Sequence, residues 1–190
     1  MYDISFQPFV GENYHSQSPK ILVLGESHYD GEGSSDENFT SMVVKKYAQQ
    51  ENGEKRKFFT IIAKNIDNQL TNHTAKSLWN KVAFYNYVQT IVGSGPRQRP
   101  TADMFDQSRQ AFKSVVESLR PDIIVILGRH LGYHLAQQSD YFTFTSAKPI
   151  LCHWSHPSSP KYFNYTEAQS AIQKAKDEFA LDSVAGAGHL

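Results

Sequence analysis

The sequence predicts an α/β fold in which helices cover both faces of a parallel sheet. Short apolar runs and amphipathic segments alternate along the chain, which is typical of parallel sheets. Two of these runs, 20–24 and 122–127, are rich in branched apolar side chains and end at a glycine, which indicates buried strands. The 190 residues, of which 39% are hydrophobic, suit one domain with one sizeable core.

The first part of the chain predicts one strand followed by two helices. Residues 1–19 are irregular and aromatic, and we expect them to pack as an arm. A loop rich in glycine, serine and aspartate follows strand 20–24. Two helices are expected at 38–50 and 57–70, each with one apolar face. The residues on these faces are Phe39, Met42, Val43 and Tyr47 in the first helix, and Phe58, Ile62, Ile66 and Leu70 in the second.

A strand and a long helix follow. Residues 82–88, "VAFYNYV", have the aromatic and branched composition of a strand. Thr101 is a good N-cap for a helix over 102–119, and Pro121 prevents that helix from continuing. We expect the buried side of this helix to be formed by Phe105, Phe112, Val115, Val116 and Leu119.

Four further elements complete the pattern. They are a strand at 122–127, a helix at 130–138, a strand at 149–153 and a helix from Thr166 to about residue 180. Thr166 and Gln169 have the spacing of a capping box at the start of the last helix. We expect one domain over residues 1–182 and a frayed tail over 183–190. The four predicted strands should form one parallel sheet.

Composition excludes several classes of protein. No apolar run approaches the roughly 18 residues of a membrane span, and the N-terminus has no signal-peptide pattern, so we expect a cytoplasmic protein. The single cysteine, Cys152, excludes an internal disulfide and a cysteine-rich zinc or iron–sulfur site. We expect it to be buried and inert. The formal net charge of zero argues against a protein that coats nucleic acid.

Polar turns follow the predicted strands, at Glu26, Asn86, 128–130 and His156. The carboxyl ends of parallel strands meet at one edge of the sheet, where ligands bind, so we expect these turns to converge. Glu26 can activate a water or simply cap a helix. Asn86 must satisfy its amide with the backbone or with a nucleobase edge. His156, held extended by Pro157, is either structural or donates a hydrogen bond to a developing anion.

Two other chemistries use some of the same residues. His28, His153 and His156 could bind a metal ion, but their spacing matches no strong zinc signature. A serine hydrolase needs a G-x-S-x-G turn, which "GESHY" does not provide. Ser158 suits a tight turn or a phosphate contact through its hydroxyl and backbone N–H. We therefore expect no metal and no organic cofactor.

Several motifs together resemble the uracil-DNA glycosylase superfamily. The stretch "ILVLGESHY" is similar to its first motif, which reads Gly-Gln-Asp-Pro-Tyr in one branch and Gly-Glu-Ala-Pro-Gly in another. "HPSS" resembles its second motif, His-Pro-Ser. The segment between them, which begins "YNYVQTIVGSGPRQRPTADMF" and ends "LRPDIIVILGR", is similar to the iron–sulfur branch. The resemblance covers residues 20–159 with a gap at 30–80, and the order of its motifs makes it specific.

The resemblance implies a fold and a set of roles. The fold is a three-layer α/β/α domain with a four-stranded parallel sheet. The activity is that of an enzyme that flips a damaged base out of DNA into the cleft at the strand ends. Glu26 and His156 match the catalytic positions, of which the first positions water and the second stabilises the departing base. Contacts to the base or nucleotide are implied for Asn86 as base reader, and for Gly25, Ser27, His28, Tyr29, Gln98 and Ser158.

The sequence also departs from the family pattern. Ser27 stands where one branch has its aspartate, and His28 replaces the motif proline. The iron–sulfur branch carries four cysteines, whereas this chain has one and cannot hold that cluster. The phenylalanine that stacks on the base is not assigned by the motifs, and Phe39, Phe58 and Phe59 are its candidates.

Three functions stay open at this point. The first is a monofunctional DNA-repair glycosylase whose partner is DNA with a damaged or deaminated base, most simply uracil, and which contacts no membrane. The second is a catalytically silent relative that binds nucleic acid or nucleotides, which the zero net charge favours. The third is a hydrolase of free nucleosides or other small glycosides.

Overall fold

The computed structural model describes residues 4–29, 36–93, 98–137 and 148–187. Its strands are β1 (Phe9–Val10), β2 (Ile21–Gly25), β3 (Ala83–Asn86), β4 (Ile123–Leu127) and β5 (Ile150–Trp154). Its α-helices are α1 (Phe39–Val44), α2 (Lys57–Ile66), α3 (Ala102–Leu119), α4 (Arg129–Ala136) and α5 (Tyr165–Ala187). Short 3-10 helices cover Tyr14–Ser16 and Ala75–Asn80, and α1 continues into a π-helical turn at Lys45–Gln49.

One five-stranded sheet forms the centre of the molecule, in the order β1-β3-β2-β4-β5. β2 pairs in parallel with β3 and β4, and β4 pairs in parallel with β5. The short β1 pairs antiparallel with β3. The predicted α/β class is confirmed, but the predicted four strands are one too few. β1 has only two residues, so it carries no periodic signal, and it lies in the segment expected to be an irregular arm.

Alternate residues of the central strand β2 belong to two separate cores, because successive side chains of a strand point to opposite faces. Ile21 and Val23 pack with residues of α1, α2 and α5. Leu22 and Leu24 pack with residues of α3 and α4. Every residue of β2 and β4 is buried, which explains why both runs are continuously apolar. Among the described residues, helices therefore pack against both faces of the central strands.

Helix α3 agrees with its prediction in both ends and in its buried face. It runs over Ala102–Leu119, and the Thr101 side chain accepts a hydrogen bond from the Met104 backbone N–H at 3.3 Å. The structure buries all five apolar residues that the sequence placed on its inner side. The cap and the apolar stripe are both local signals, which is why the sequence alone defines this helix well.

The helix predicted at 38–50 is only partly α-helical. It changes to a π-helical turn after Val44, and such a turn rotates the following residues to a different face. The buried side is formed by Thr40, Val44 and Ala48, whereas Met42 is 53% exposed. Thr40, Met42 and Val44 all precede the π-helical turn, so the predicted apolar face is wrong from the start of the helix. The next predicted helix, 57–70, ends at Ile66 rather than at residue 70.

The capping box predicted for the last helix is wrong. Asn164 Oδ1 accepts hydrogen bonds from the backbone N–H groups of Thr166 at 2.9 Å and Glu167 at 3.2 Å. The Asn164 amide in turn donates to the Glu167 carboxylate at 3.2 Å. Asn164 thus caps the helix two residues before Thr166. The helix ends at Ala187 rather than near residue 180, so it enters the segment expected to be frayed.

The structure bears on the predictions made for Cys152 and for membrane-spanning segments. Cys152 is buried in β5, and burial raises the pKa of its thiol to about 11, which makes the thiolate scarce at neutral pH. None of the helices within the described ranges is long and apolar enough to cross a membrane.

Replacing Thr101 with alanine should lower the free energy of unfolding by about 1 kcal/mol, because the Met104 N–H loses its acceptor at the start of α3. Thr101→Ser keeps the hydroxyl and should stay close to the wild type. Urea denaturation of the three proteins measures the difference. Equal losses of stability in both variants would show that the methyl group of Thr101, and not its hydroxyl, supports the helix.

Candidate active site

The turns that follow four neighbouring strands lie in order along the carboxyl edge of the sheet. Asn86 ends β3, Glu26 follows β2, His130 lies in the first turn of α4 after β4, and His156 follows β5. Gly25 pairs directly with Asn86 between β2 and β3. In parallel folds this edge is where ligands bind. The structure thus brings the predicted Glu26, Asn86 and His156 to one edge.

Glu26 places a carboxylate at this edge. Its Oε2 lies 2.9 Å from Nδ1 of His130. Burial lowers the pKa of both His134 and His156, and the charge of Glu26 acts in the opposite direction on both rings. One carboxylate therefore makes a direct contact with one imidazole and acts electrostatically on two more.

His156 is held in one tautomer. The backbone N–H of Ser158 donates to His156 Nδ1 at 3.1 Å, so Nε2 carries the hydrogen of the neutral ring. Burial lowers the pKa of His156; Glu26 opposes this effect and Arg99 adds to it. Phe58 stacks on the imidazole, with ring centroids 5.5 Å apart and ring planes 27° apart. His156 is therefore a neutral imidazole that offers an N–H donor at Nε2.

Gly25 is required by the close approach of Asn86. A Cβ atom at Gly25 would overlap Asn86 Oδ1 and would lie 3.2 Å from Cζ of Phe84. Asn86 itself is only 8% exposed, and its carbonyl oxygen lies against Gly25 while its amide nitrogen points to His28. The absence of a side chain at Gly25 therefore leaves the space that the Asn86 carboxamide fills.

His28 is a buried link between Asn86 and helix α1. The Asn86 amide nitrogen donates to His28 Nδ1 at 3.1 Å, and His28 Nε2 lies 3.0 Å from Thr40 Oγ1. The rings of Phe6 and Phe39 pack edge-on against the imidazole at centroid distances of 4.9 Å and 5.1 Å. Burial lowers the pKa of His28 to about 4, so the ring is neutral. At 4% exposure, this predicted substrate contact lies behind Asn86 and orients its amide.

The other predicted contact residues lie at different depths. The Ser27 hydroxyl is buried and makes no hydrogen bond within the described part of the chain. Tyr29 is 40% exposed. Gln98 is exposed, and its amide folds against Gly93, where a Cβ atom would overlap it. Ser158 is exposed in the turn that holds the second motif, and it acts through its backbone N–H.

The motifs assign no role to His130 and leave three candidates for the stacking phenylalanine. His130 lies in the 128–130 turn that was expected at this edge, but its contact with Glu26 joins residues 104 positions apart, which no local pattern reveals. The three phenylalanine candidates separate clearly in the structure. Phe59 is buried in the core, Phe39 packs beside the first motif, and Phe58 stacks on the imidazole at the edge.

The metal site considered from the sequence does not form. Within the described ranges, no group of three or more histidine, cysteine, aspartate or glutamate side chains is arranged to hold a metal ion. His153, one of the three candidate ligands, instead lies beside Gly132 of α4, 3.0 Å from the position of a Cβ there.

A separate cleft of about 390 Å³ lies where β5 meets the starts of α4 and α5. Its walls include Arg129, Tyr133, His153 and Glu167. Glu26, Asn86 and His156 are not among its lining residues, but Gly128, Arg129 and Ser155 are, so this cleft adjoins the edge that carries the motifs.

A family model described as the Uracil DNA glycosylase superfamily matches residues 12–180. This chain belongs to the uracil DNA glycosylase superfamily. The match includes both motifs and also the 30–80 region, where the motif resemblance has its gap. A search of the curated proteins finds no match. Membership of the glycosylase superfamily, predicted from the motifs, is thus confirmed.

Replacing His28 with asparagine should flatten the pH dependence of stability of this glycosylase-superfamily protein. The pKa of His28 is about 4 when folded and 6.5 ordinarily, so the unfolded chain binds more protons between these values. The free energy of unfolding of the wild type should therefore fall by about 3 kcal/mol through His28 as the pH falls from about 6.5 to 4, and His28 should cause no further loss below pH 4. Asparagine can still accept from Asn86 but does not titrate.

Urea denaturation at pH 7, 6, 5 and 4 measures this difference between the two proteins. The readout is the slope of the unfolding free energy against pH, so an overall loss of stability in the variant does not obscure it. Parallel curves for His28→Asn and the wild type would mean that His28 is not buried as a neutral ring.

Proposed function

We propose that the protein is a DNA glycosylase that hydrolyses the N-glycosidic bond of a lesion base, most simply uracil, flipped out of DNA. The observation that carries the proposal is the state of His156. Its Nδ1 accepts from the Ser158 N–H, so Nε2–H is the donor at an edge that also carries Glu26. A donor and a carboxylate are the two groups that the reaction needs, as its transition state has an anionic base and a cationic sugar.

The two groups act on opposite charges. When the bond between sugar and base breaks, the electron pair stays on the base, and His156 Nε2–H stabilises the resulting anion. The sugar becomes oxocarbenium-like, and the carboxylate of Glu26 stabilises its positive charge while a water is aligned for attack. No metal or organic cofactor takes part in either step.

Asn86 is the base reader in this proposal. The uracil edge offers O4 as an acceptor and N3–H as a donor, and one carboxamide can match both. His28 holds the amide from behind, which fixes its orientation before a ligand arrives. A fixed polar reader rejects the wrong base strongly, because a mismatch leaves buried groups unpaired.

A second candidate is a relative that binds nucleotides or nucleic acid without turnover. The zero net charge and the replacement of the motif aspartate by Ser27 favour it. Oligonucleotides with uracil, hypoxanthine, xanthine or an oxidised pyrimidine separate the two candidates. Alkali-labile abasic sites support the glycosylase, whereas base-independent binding without such sites supports the silent relative. Turnover of free nucleosides alone would point instead to a nucleoside hydrolase.

Replacing His156 with alanine should slow base release by about 10²–10³-fold without abolishing DNA binding, because the lost donor acts on charge that develops only in the transition state. Single-turnover excision and a binding titration on the same oligonucleotide measure both effects. His153→Ala, which removes an exposed imidazole of β5, is the matched control and should keep the wild-type rate. An unchanged rate in His156→Ala would remove this residue from the mechanism.

Replacing Asn86 with aspartate should lose most uracil excision, because a carboxylate cannot donate to O4. We expect weak activity on cytosine in its place, since the carboxylate can accept from the cytosine amino group. Asn86→Ala should lose uracil excision without that gain. Excision from uracil and cytosine oligonucleotides is measured with the melting temperature of the same samples.

The alternative is that Asn86 only stabilises its own strand. Both variants would then melt at a lower temperature, and their remaining activity would keep the wild-type base preference. Folded variants with wild-type uracil excision would exclude Asn86 as the base reader.

A further inference from the structure

His130 is an imidazole of the strand-end edge to which neither motif assigns a role. Its Nδ1 lies 2.9 Å from Glu26 Oε2, and its side chain is 32% exposed against 16% for Glu26. One oxygen of the Glu26 carboxylate is therefore in contact with His130, and the Glu26 side chain is the less exposed of the two. Of the two groups, the imidazole has more surface from which to meet a water or a substrate.

The contact with Glu26 selects a tautomer of His130. A carboxylate can only accept, so Nδ1 must carry the hydrogen, and the neutral ring then has its free electron pair on Nε2. The carboxylate–imidazole pair of the serine hydrolases uses the same arrangement to make Nε2 a general base. His156 has the opposite tautomer, because its Nδ1 accepts from a backbone N–H. In its neutral form His130 is therefore an acceptor at Nε2, whereas His156 is a donor at Nε2.

Packing fixes both rings in neighbouring positions. Phe105, which is fully buried, packs edge-on against His130 at a centroid distance of 5.2 Å. His156 lies over Gly128, where a Cβ atom would sit 3.6 Å from its Cβ and Cδ2. Gly128 directly precedes the helix turn that carries His130. The two rings thus extend from adjacent strand ends, β4 and β5.

We propose that His130 is the general base of the reaction, with Glu26 as the residue that orients it, and that His130 and His156 work as an acceptor and a donor of fixed, opposite tautomers. The inference rests on the proposed glycosylase function. Water forms the new bond to the sugar C1′ and gives its proton to His130 Nε2. The base leaves with the electron pair of the broken bond, accepts a hydrogen bond from His156, and finally takes up one proton from solvent. His130 returns its proton to solvent, so one water is consumed.

The tautomers can be measured without any activity. In protein with nitrogen-15 histidine, long-range correlation spectra near neutral pH distinguish protonated from unprotonated ring nitrogens. The signals of His130 and His156 are assigned by their loss in His130→Asn and His156→Asn. We expect hydrogen on Nδ1 alone in His130 and on Nε2 alone in His156. Hydrogen on both nitrogens of His130, or the same tautomer in both rings, would overturn the proposal.

The substitution His130→Asn distinguishes a general base from a residue that only holds Glu26 in position. The asparagine amide nitrogen can take the place of Nδ1 and still donate to Glu26, but asparagine has no counterpart of Nε2. We expect His130→Asn to slow single-turnover excision by about 10²–10⁴-fold, the usual size of a general-base effect. His153→Asn is the matched control and should keep the wild-type rate. A wild-type rate in His130→Asn would overturn the role as base.

The double variant tests whether the pair acts as a unit. Glu26→Gln combined with His130→Asn should be no slower than the slower single variant, since groups that act together are not additive. Multiplied losses would mean that His130 acts without the help of Glu26, and would overturn the pairing. A wild type that excises no base from any lesion oligonucleotide would instead end the glycosylase proposal, and the tautomer spectra would still decide the arrangement of the two rings.

Discussion

The register of β2 against its neighbours is the constraint on which the site depends. Gly25 lies opposite Asn86 only because Leu22, Val23 and Leu24 pair with Ala83, Phe84 and Tyr85. A shift of one residue would turn every side chain of β2 to the other face and exchange the contents of the two cores. The unfavourable free energy of repacking both cores therefore keeps β2 in this register. Because of this register, Gly25 lies beside the Asn86 carboxamide. Glu26 is then the first residue after the end of β2.

Burial and the carboxylate of Glu26 act in opposite directions on the pKa of His156. Burial disfavours the charged form of His156, whereas Glu26 favours it. A protonated His156 would be attracted by the charge of Glu26. A neutral His156 leaves the carboxylate to His130 and keeps its own Nε2–H available. The zero net charge of the chain does not bear on this arrangement, because the effect is local.

The sequence predicts what periodicity and local capping encode. The two ends and the inner face of α3, and the strand character of β2 and β4, follow from side-chain spacing within each element. β1 is too short to show a period, and the buried face of α1 includes the polar Thr40, which contacts His28 and which apolar spacing does not reveal. The motifs predict that Glu26, Asn86 and His156 share an edge. They do not predict the partners His130 and His28, which are 104 and 58 residues away in sequence and are chosen by tertiary packing.

His28 illustrates how the change from proline in the first motif can be accommodated. A proline stiffens its own backbone, whereas the backbone at His28 is held by a parallel bridge to Ile91 and by a hydrogen bond from the Val92 N–H at 3.2 Å. The side chain is then free to hold Asn86. Burying an imidazole is costly unless its nitrogens are satisfied, and contacts with Asn86 and Thr40 satisfy both. The substitution therefore exchanges local backbone stiffness for a fixed carboxamide. In the proposed role of Asn86 as base reader, a carboxamide fixed from the interior needs no reorganisation when a ligand reaches it.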